Sequence, residues 1–451
     1  MNNKGYGLFT TIAMIVGVVI GSGIFFKSDN ILVATGGNIV LGVLVFTIAA
    51  IAIIFGSLTI SELASRSSNS GGMIQYMEFA LNKSAACAFG WFQTLLYFPT
   101  LIAVVAYVAG IYICLLFGIN GSFDLQVLIG LGVILILFAV NTISAKVGGV
   151  LQSSSTIIKL IPLILIAIVG IIYGNPSMEA LTTNSAGLSS AGWLAAIAPI
   201  AFSFDGWIVA TTIGDEVKDS KRNLPRALVV APIFILLMYI VYFVGISVLV
   251  GPEKIMALGD AHVDLAAKMI FGHLGAKIIL VFVIISVLGT VNGLIIGMMR
   301  QPYLLAKKGM FPQGEIFAKI NAKNEMPINS SIIAGVITLL WMAVHYFVTK
   351  IGMLTNSDIS EISVTMSYGL YIILYIKVFR MALNGEVKSR FKGFICPVLA
   401  VIGSIIIIVG GMSNAMFWTY ASICLAIIIS GALYWRNKER TLNAQGQAVC
   451  E

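Results

Sequence analysis

Ile20-Gly21-Ser22-Gly23-Ile24-Phe25 lies inside the first apolar stretch of the chain, and Phe202-Ser203-Phe204-Asp205-Gly206-Trp207 lies inside the sixth. Two glycines around a serine weaken a helix and free backbone N–H groups from their i−4 acceptors. Freed donors of that kind suit a carboxylate. Non-helical backbone at membrane depth is tolerated only where it is buried in protein or lines a cavity, because each orphaned amide costs several kcal/mol. Taken alone, Gly21 and Gly23 are equally consistent with close helix packing. The second stretch narrows the reading. Pro199 and Gly206 bracket Asp205, which sits thirteen residues into its span. At ~1.5 Å per residue that is roughly 20 Å deep in a core about 30 Å thick. A charge there costs at least ~2.5–3.5 kcal/mol and marks either a functional site or a paired carboxyl that locks packing.

The composition around these stretches is that of a bilayer protein. Of 451 residues 59% are hydrophobic and 10% charged, against about a quarter charged in soluble chains. Runs of roughly 20 apolar residues, the length a spanning helix needs, give twelve expected spans. They are 9–27, 39–62, 84–117, 124–143, 148–173, 192–216, 225–250, 264–299, 329–348, 358–380, 394–412 and 415–435. The first carries no cleavage signal behind it and reads as a retained helix. The net charge of +8 comes from short loops, so it reports topology and not a nucleic-acid partner. With both termini in the cytoplasm, the clusters Lys218–Arg226, Arg300–Lys323, Lys377–Lys392 and Arg436–Arg440 fall inside. Only Lys27, Lys254, Lys268, Lys277 and Lys350 fall opposite. The five cysteines form no disulfide or metal pattern, and His262, His273 and His345 lie far apart, so no metal site and no cofactor is expected.

A shift of about 180 residues superimposes the first five spans on the next five. It brings Gly21–Gly23 onto Ser203–Gly206, and the long third span onto the long eighth. Five is odd, so the copies point in opposite directions, which is the inverted-repeat pattern of a secondary transporter. The chain then reads as one transmembrane domain over 1–435, with repeats at about 9–173 and 192–380, extra helices at 394–435 and a short tail at 436–451. Lys159 is a further polar residue, eleven positions into the fifth span. That is ~16 Å from the interface and beyond comfortable snorkelling reach. It needs a partner, for which carbonyls of the broken first span or Asp205 are the candidates. Phe202, Phe204 and Trp207 are candidate gating aromatics, of which one is expected to gate. Two loops are patterned, Arg66–Tyr76 as a glycine-punctuated turn and Tyr303–Ile320 as a short amphipathic segment at the interface.

Four of these segments resemble the amino acid–polyamine–organocation superfamily: Gly21–Phe25, Ser70-Gly-Gly-Met-Ile-Gln-Tyr76, Phe202–Trp207 and Arg300-Gln-Pro-Tyr-Leu-Leu-Ala-Lys-Lys-Gly-Met-Phe-Pro312. The Asp-Gly-Trp break looks most like prokaryotic members of the L-type amino acid transporter branch, and the resemblance covers roughly 5–435. It implies the LeuT fold, an all-α membrane protein of 12 helices with a 5+5 inverted repeat and discontinuous helices 1 and 6. It implies that the amides of Ser22, Gly23 and Ile24 hold a substrate carboxylate, and that the carbonyls of Val19, Phe202 and Asp205 receive its ammonium. Ser203 and Gly206 complete the binding segment. Phe202 would close over the pocket with Trp207 as a second gate, and Lys159 would stand in for sodium in coupling. These roles agree with the favourable placing of anions at helix amino ends and cations at carboxyl ends. Eukaryotic branch members carry a cysteine between spans 3 and 4 for a heavy subunit. Here that loop is Gly118–Asp124 without one, so no disulfide-linked partner is expected and a monomer suffices.

The expected function is sodium-independent transport of neutral L-amino acids across the cell membrane by alternating access, as an exchanger. Proton-linked uptake, for which a midplane Asp205 speaks, and a cationic amino acid or amine carrier are the alternatives. An intramembrane enzyme is disfavoured by the lack of a histidine–acid metal pair, paired midplane carboxylates or a nucleophile elbow. A sensor would require a soluble output domain.

Overall fold

The computed structural model describes residues 7–66, 72–175, 181, 192–208, 211, 217–321, 326–354 and 357–444. Residues 67–71 of the first patterned loop, Asp215, Glu216 and Lys323 lie outside these, as do the side chains of Ser22 and Lys146. The described chain is helical. Ten helices are long and apolar enough to cross a membrane, and two shorter apolar ones, Leu8–Val19 and Gly192–Ser203, end at the quoted breaks.

The first apolar stretch is α1 (Leu8–Val19), α2 (Ser22–Phe26) and α3 (Ser28–Ala34). Ile20 turns extended at φ −71°, ψ 102° and Gly21 follows at φ −151°, ψ −136°, so the helix stops and restarts within two residues. Next come α4 (Ile39–Ala64) and α5 (Gly72–Ala80). The third span is one run of 35 residues, α6 (Lys83–Phe92), a wide π-type turn at Gln93–Tyr97 and α7 (Phe98–Phe117). Local chemistry sets these ends. Asn38 and Asn82 accept from the Leu41 and Ala85 amides at 2.8 and 2.9 Å, satisfying first-turn donors as N-caps do. Gly118 at φ 64° closes α7.

After α8 (Phe123–Ile143), the fifth span is α9 (Ala145–Ile158) and α10 (Leu160–Tyr173), with Lys159 at the junction and still helical in φ/ψ. It begins three residues before the expected start. The sixth opens with a 3₁₀ turn, Gly192–Ala196, continues as α11 (Ile197–Ser203) and turns through Phe204–Gly206. The second half continues with α12 (Ser220–Val250), α13 (Pro252–Leu258) and α14 (His262–Lys307), the last kinked at Gly272. Beyond α14, Gly309 and Gln313 take positive φ, and only a single turn, α15 (Gly314–Phe317), forms.

Four long helices complete the chain: α16 (Ile328–Lys350), α17 (Ile359–Leu383), α18 (Cys396–Gly411) and α19 (Phe417–Ala444). The last runs past the expected end at 435, so residues 436–444 are helical. The long third-span run and α14 are the most enclosed, whereas α8 and α16 present most of their apolar surface outward. Leu128, Ile136 and Leu340 on that outer face are each 63% exposed, which lipid makes inexpensive.

Candidate functional site

The two breaks meet in space. A Cβ on Gly23 would lie 2.7 Å from the Ser203 Cα, closer than non-bonded carbons approach, so only glycine lets α2 cross α11 here. Gly206 takes φ 96°, a backbone region that side chains avoid, and so allows the Asp205–Gly206 turn. Between the breaks lies a cavity of about 20 Å³, lined by Val19, Gly23, Phe202 and Asp205 from the broken segments and by Leu101 and Thr290 among its remaining walls. That is room for one water. The first-turn amides of α2, to which Ser22, Gly23 and Ile24 belong, have no intrahelical acceptor. Ser203 and Ile24 are fully enclosed by protein.

Three buried polar contacts hold the breaks. The Tyr239 hydroxyl lies 3.0 Å from the Val19 carbonyl and 2.8 Å from the Ser203 carbonyl, within donating range of either. One side chain of α12 therefore ties the end of α1 to the end of α11. The Tyr97 hydroxyl, on the π-type turn of the third span, donates to Asp205 Oδ2, and Asp205 Oδ1 has no hydrogen-bond partner among the described residues. Lys159 donates to the Gly17 carbonyl of α1 at 2.5 Å and lies 3.5 Å from the Thr290 hydroxyl of α14. Of the two partners expected for Lys159, the broken first span is therefore the one it meets. The π-type turn supplies the irregular backbone that aims Tyr97 inward, as such turns often do at functional sites.

A buried charged cluster lies beside Phe202. Lys27 donates to Asp358 Oδ2 at 2.8 Å and to Glu361 Oε1 at 2.5 Å, with Lys27 and Glu361 almost wholly buried. The other oxygens are also satisfied: the Ser360 amide and hydroxyl donate to Asp358 Oδ1, and the Ser357 hydroxyl to Glu361 Oε2. Two carboxylates thus share one ammonium, and the amino end of α17, which Asp358 caps, offsets the remaining negative charge. The Lys27 ammonium also stands 5.2 Å from the centre of the Phe202 ring, within cation–π range. Phe202 therefore sits between the cluster and the cavity. Trp207 is buried with its edge toward Tyr371, 6.2 Å between ring centres, and does not line the cavity.

The structure gathers Val19, Gly23, Phe202 and Asp205 at one cavity, with Ser22, Ile24, Ser203 and Gly206 in the same crossing and Lys159 one layer behind through Gly17. Sequence reasoning missed Tyr97, Tyr239 and Thr290, which look like ordinary span residues. It placed Lys27 at the outer end of the first span and did not pair it. The spacing Asp358-x-x-Glu361 at the start of a span resembles a capping pattern and was the available signal. Among the described residues no group of three or more histidine, cysteine or acidic side chains could hold a metal ion.

Comparison with known proteins identifies the family. A family model described as amino acid permease matches residues 6–441. The chain is 28% identical to the serine/threonine exchanger SteT of Bacillus subtilis, over 97% of each chain. It is 23% identical to b(0,+)-type amino acid transporter 1 of Mus musculus, over 96% of this chain and 87% of that one. The human cystine/glutamate transporter is 22% identical over 86% of this chain and 74% of its own length. The apolar helices and their two interrupted members are those of a multi-pass membrane transporter, and the chain belongs to the amino acid permease family.

Proposed function

We propose that this permease exchanges small neutral L-amino acids, serine and threonine among them, across the cell membrane by alternating access without sodium. The observation that carries the reading is the crossing of α2 and α11 at Gly23, where the amino end of α2, whose first-turn amides have no intrahelical acceptor, and Asp205 beyond the carboxyl end of α11 border one cavity. A zwitterion fits such a two-ended site, its carboxylate on the amides of Ser22, Gly23 and Ile24, its ammonium on the carbonyls of Val19, Phe202 and Asp205. Tyr239 already reaches the Val19 carbonyl, so the ammonium would share that oxygen's second lone pair. Serine and threonine enter from the name of the bacterial relative.

The proposed architecture is the LeuT fold, twelve spans counted as ten long helices and two interrupted ones, with both termini cytoplasmic. Lys159 supports independence from sodium: its ammonium occupies the position between the Gly17 carbonyl and Thr290 where a metal cation would otherwise sit. The Lys27–Asp358–Glu361 cluster closes the outer side, joining the segment after the first break to α17. Phe202 is the gate we favour, since it lies between cluster and cavity. Proton-linked uptake is the second reading, favoured by the unpartnered Oδ1 of Asp205. Vesicles preloaded with unlabelled serine decide between them. Exchange requires that labelled serine enter loaded vesicles far faster than empty ones, with or without sodium. Equal uptake into empty vesicles under an inward proton gradient would establish the second reading.

A further inference from the structure

A second cavity, far larger than the first, lies away from the crossing. It occupies about 1000 Å³ between α5, α6, α17 and α19, at the upper end of the volumes that small-molecule sites reach. Its inner wall is apolar, built from Leu370 and Ile373 of α17, Ile428 of α19 and Phe89 of α6. Its mouth carries Lys83, Arg436, Glu439 and Glu78. Glu78 pairs with Lys308 at 2.5 Å, so Lys83, Arg436 and Lys308 stand against Glu78 and Glu439 and the opening carries a formal surplus of one positive charge. Leu370 and Ile428 lie near the middle of long membrane helices, Lys83 opens α6, and Arg436 is the first charged residue after the apolar part of α19. The cavity therefore runs from the charged interface into the depth of the hydrocarbon core. A water-soluble ligand would match the mouth and not the wall. A lipid tail alone would match the wall and not the mouth.

We propose that this crevice binds one phospholipid of single net negative charge, its phosphate held by Lys83 and Arg436 and an acyl chain laid along Ile428, Leu370 and Ile373. The mouth's surplus of one positive charge matches that headgroup, and basic pockets between membrane helices bind anionic headgroups in this way. Glu439 serves as acceptor for headgroup hydroxyls. The bound chain would brace α17, the helix whose other end carries Asp358 and Glu361. The transport site is not part of this cavity.

The test is native mass spectrometry of the full chain taken from bilayers of equal phosphatidylglycerol and phosphatidylcholine with identical acyl chains. One phosphatidylglycerol should remain per protein, in clear excess over phosphatidylcholine. The double variant Lys83→Glu, Arg436→Glu should lower that excess about tenfold, with serine exchange in pure phosphatidylcholine vesicles unchanged. Ile428→Trp, which fills the wall and keeps the charges, should lose the lipid altogether. Equal retention of the two lipids by the wild type, retention unaltered in both variants, or a lipid-free dimer in place of the lipid-bound chain would each overturn the proposal.

Discussion

Lys159 brings a full charge to a fully enclosed position and spends it on a backbone oxygen, the Gly17 carbonyl two residues before the end of α1. A charged hydrogen bond of this kind contributes ~1.5–3 kcal/mol, so it biases how α1 is held without touching the cavity. Lys159→Ala should therefore leave serine affinity within about threefold of wild type while turnover in vesicles falls roughly tenfold or more; unchanged turnover would reduce Lys159 to packing. Gly23 makes the opposite case. Its missing side chain is what lets the two breaks touch, so Gly23→Val should abolish serine binding in a protein that still purifies as a monodisperse species, measured by equilibrium binding. Tyr239→Phe removes a single hydroxyl that reaches both broken ends. It should weaken binding by roughly fivefold, the equivalent of ~1 kcal/mol for one hydrogen bond, as titration calorimetry would show. Gly23, Asp205 and Lys159 were legible in the sequence because glycine, carboxylate and ammonium are out of place in apolar runs. Tyr97 and Tyr239 were not, since their meaning lies in partners 108 and 220 residues away.

At the scale of elements, the restart of the first broken helix at α2 and α3 is joined to α17 by charge. Breaking a buried pair by removing one partner typically costs 3–5 kcal/mol, because it strands the remaining charge. Lys27→Met should lower stability by about that much. The triple variant Lys27→Met, Asp358→Asn, Glu361→Gln should recover most of it, a difference that chemical denaturation in detergent can measure. The same release should open the outer side. In a cysteine-free background, Ser203→Cys should react faster with a membrane-impermeant thiol reagent added from outside when Lys27 is Met than when it is Lys. Equal labelling rates would mean that the cluster stabilises without gating. The sequence located the long apolar helices but not which charges pair, because Lys27 and Glu361 lie 334 residues apart.

Over the whole molecule, hydropathy located the long helices well because each must satisfy its own backbone in lipid. The two interrupted spans were readable for the converse reason: a helix that stops inside the bilayer must be paid for by protein contacts, and here Gly23 against Ser203 and Tyr239 across both ends supply them. The closure of the cavity to about 20 Å³ was beyond the sequence, since it depends on side chains from four separate helices and the turn at Asp205. The account rests on a site with one end for a carboxylate and one for an ammonium. Competition against labelled L-serine binding to the purified wild-type protein, using L-serine amide and N-acetyl-L-serine, tests it most directly. Each analogue removes one charge and keeps the side chain, so both should bind at least about tenfold more weakly than L-serine, as the loss of a charged hydrogen bond requires. Competition by either analogue at the strength of L-serine would contradict the two-ended site.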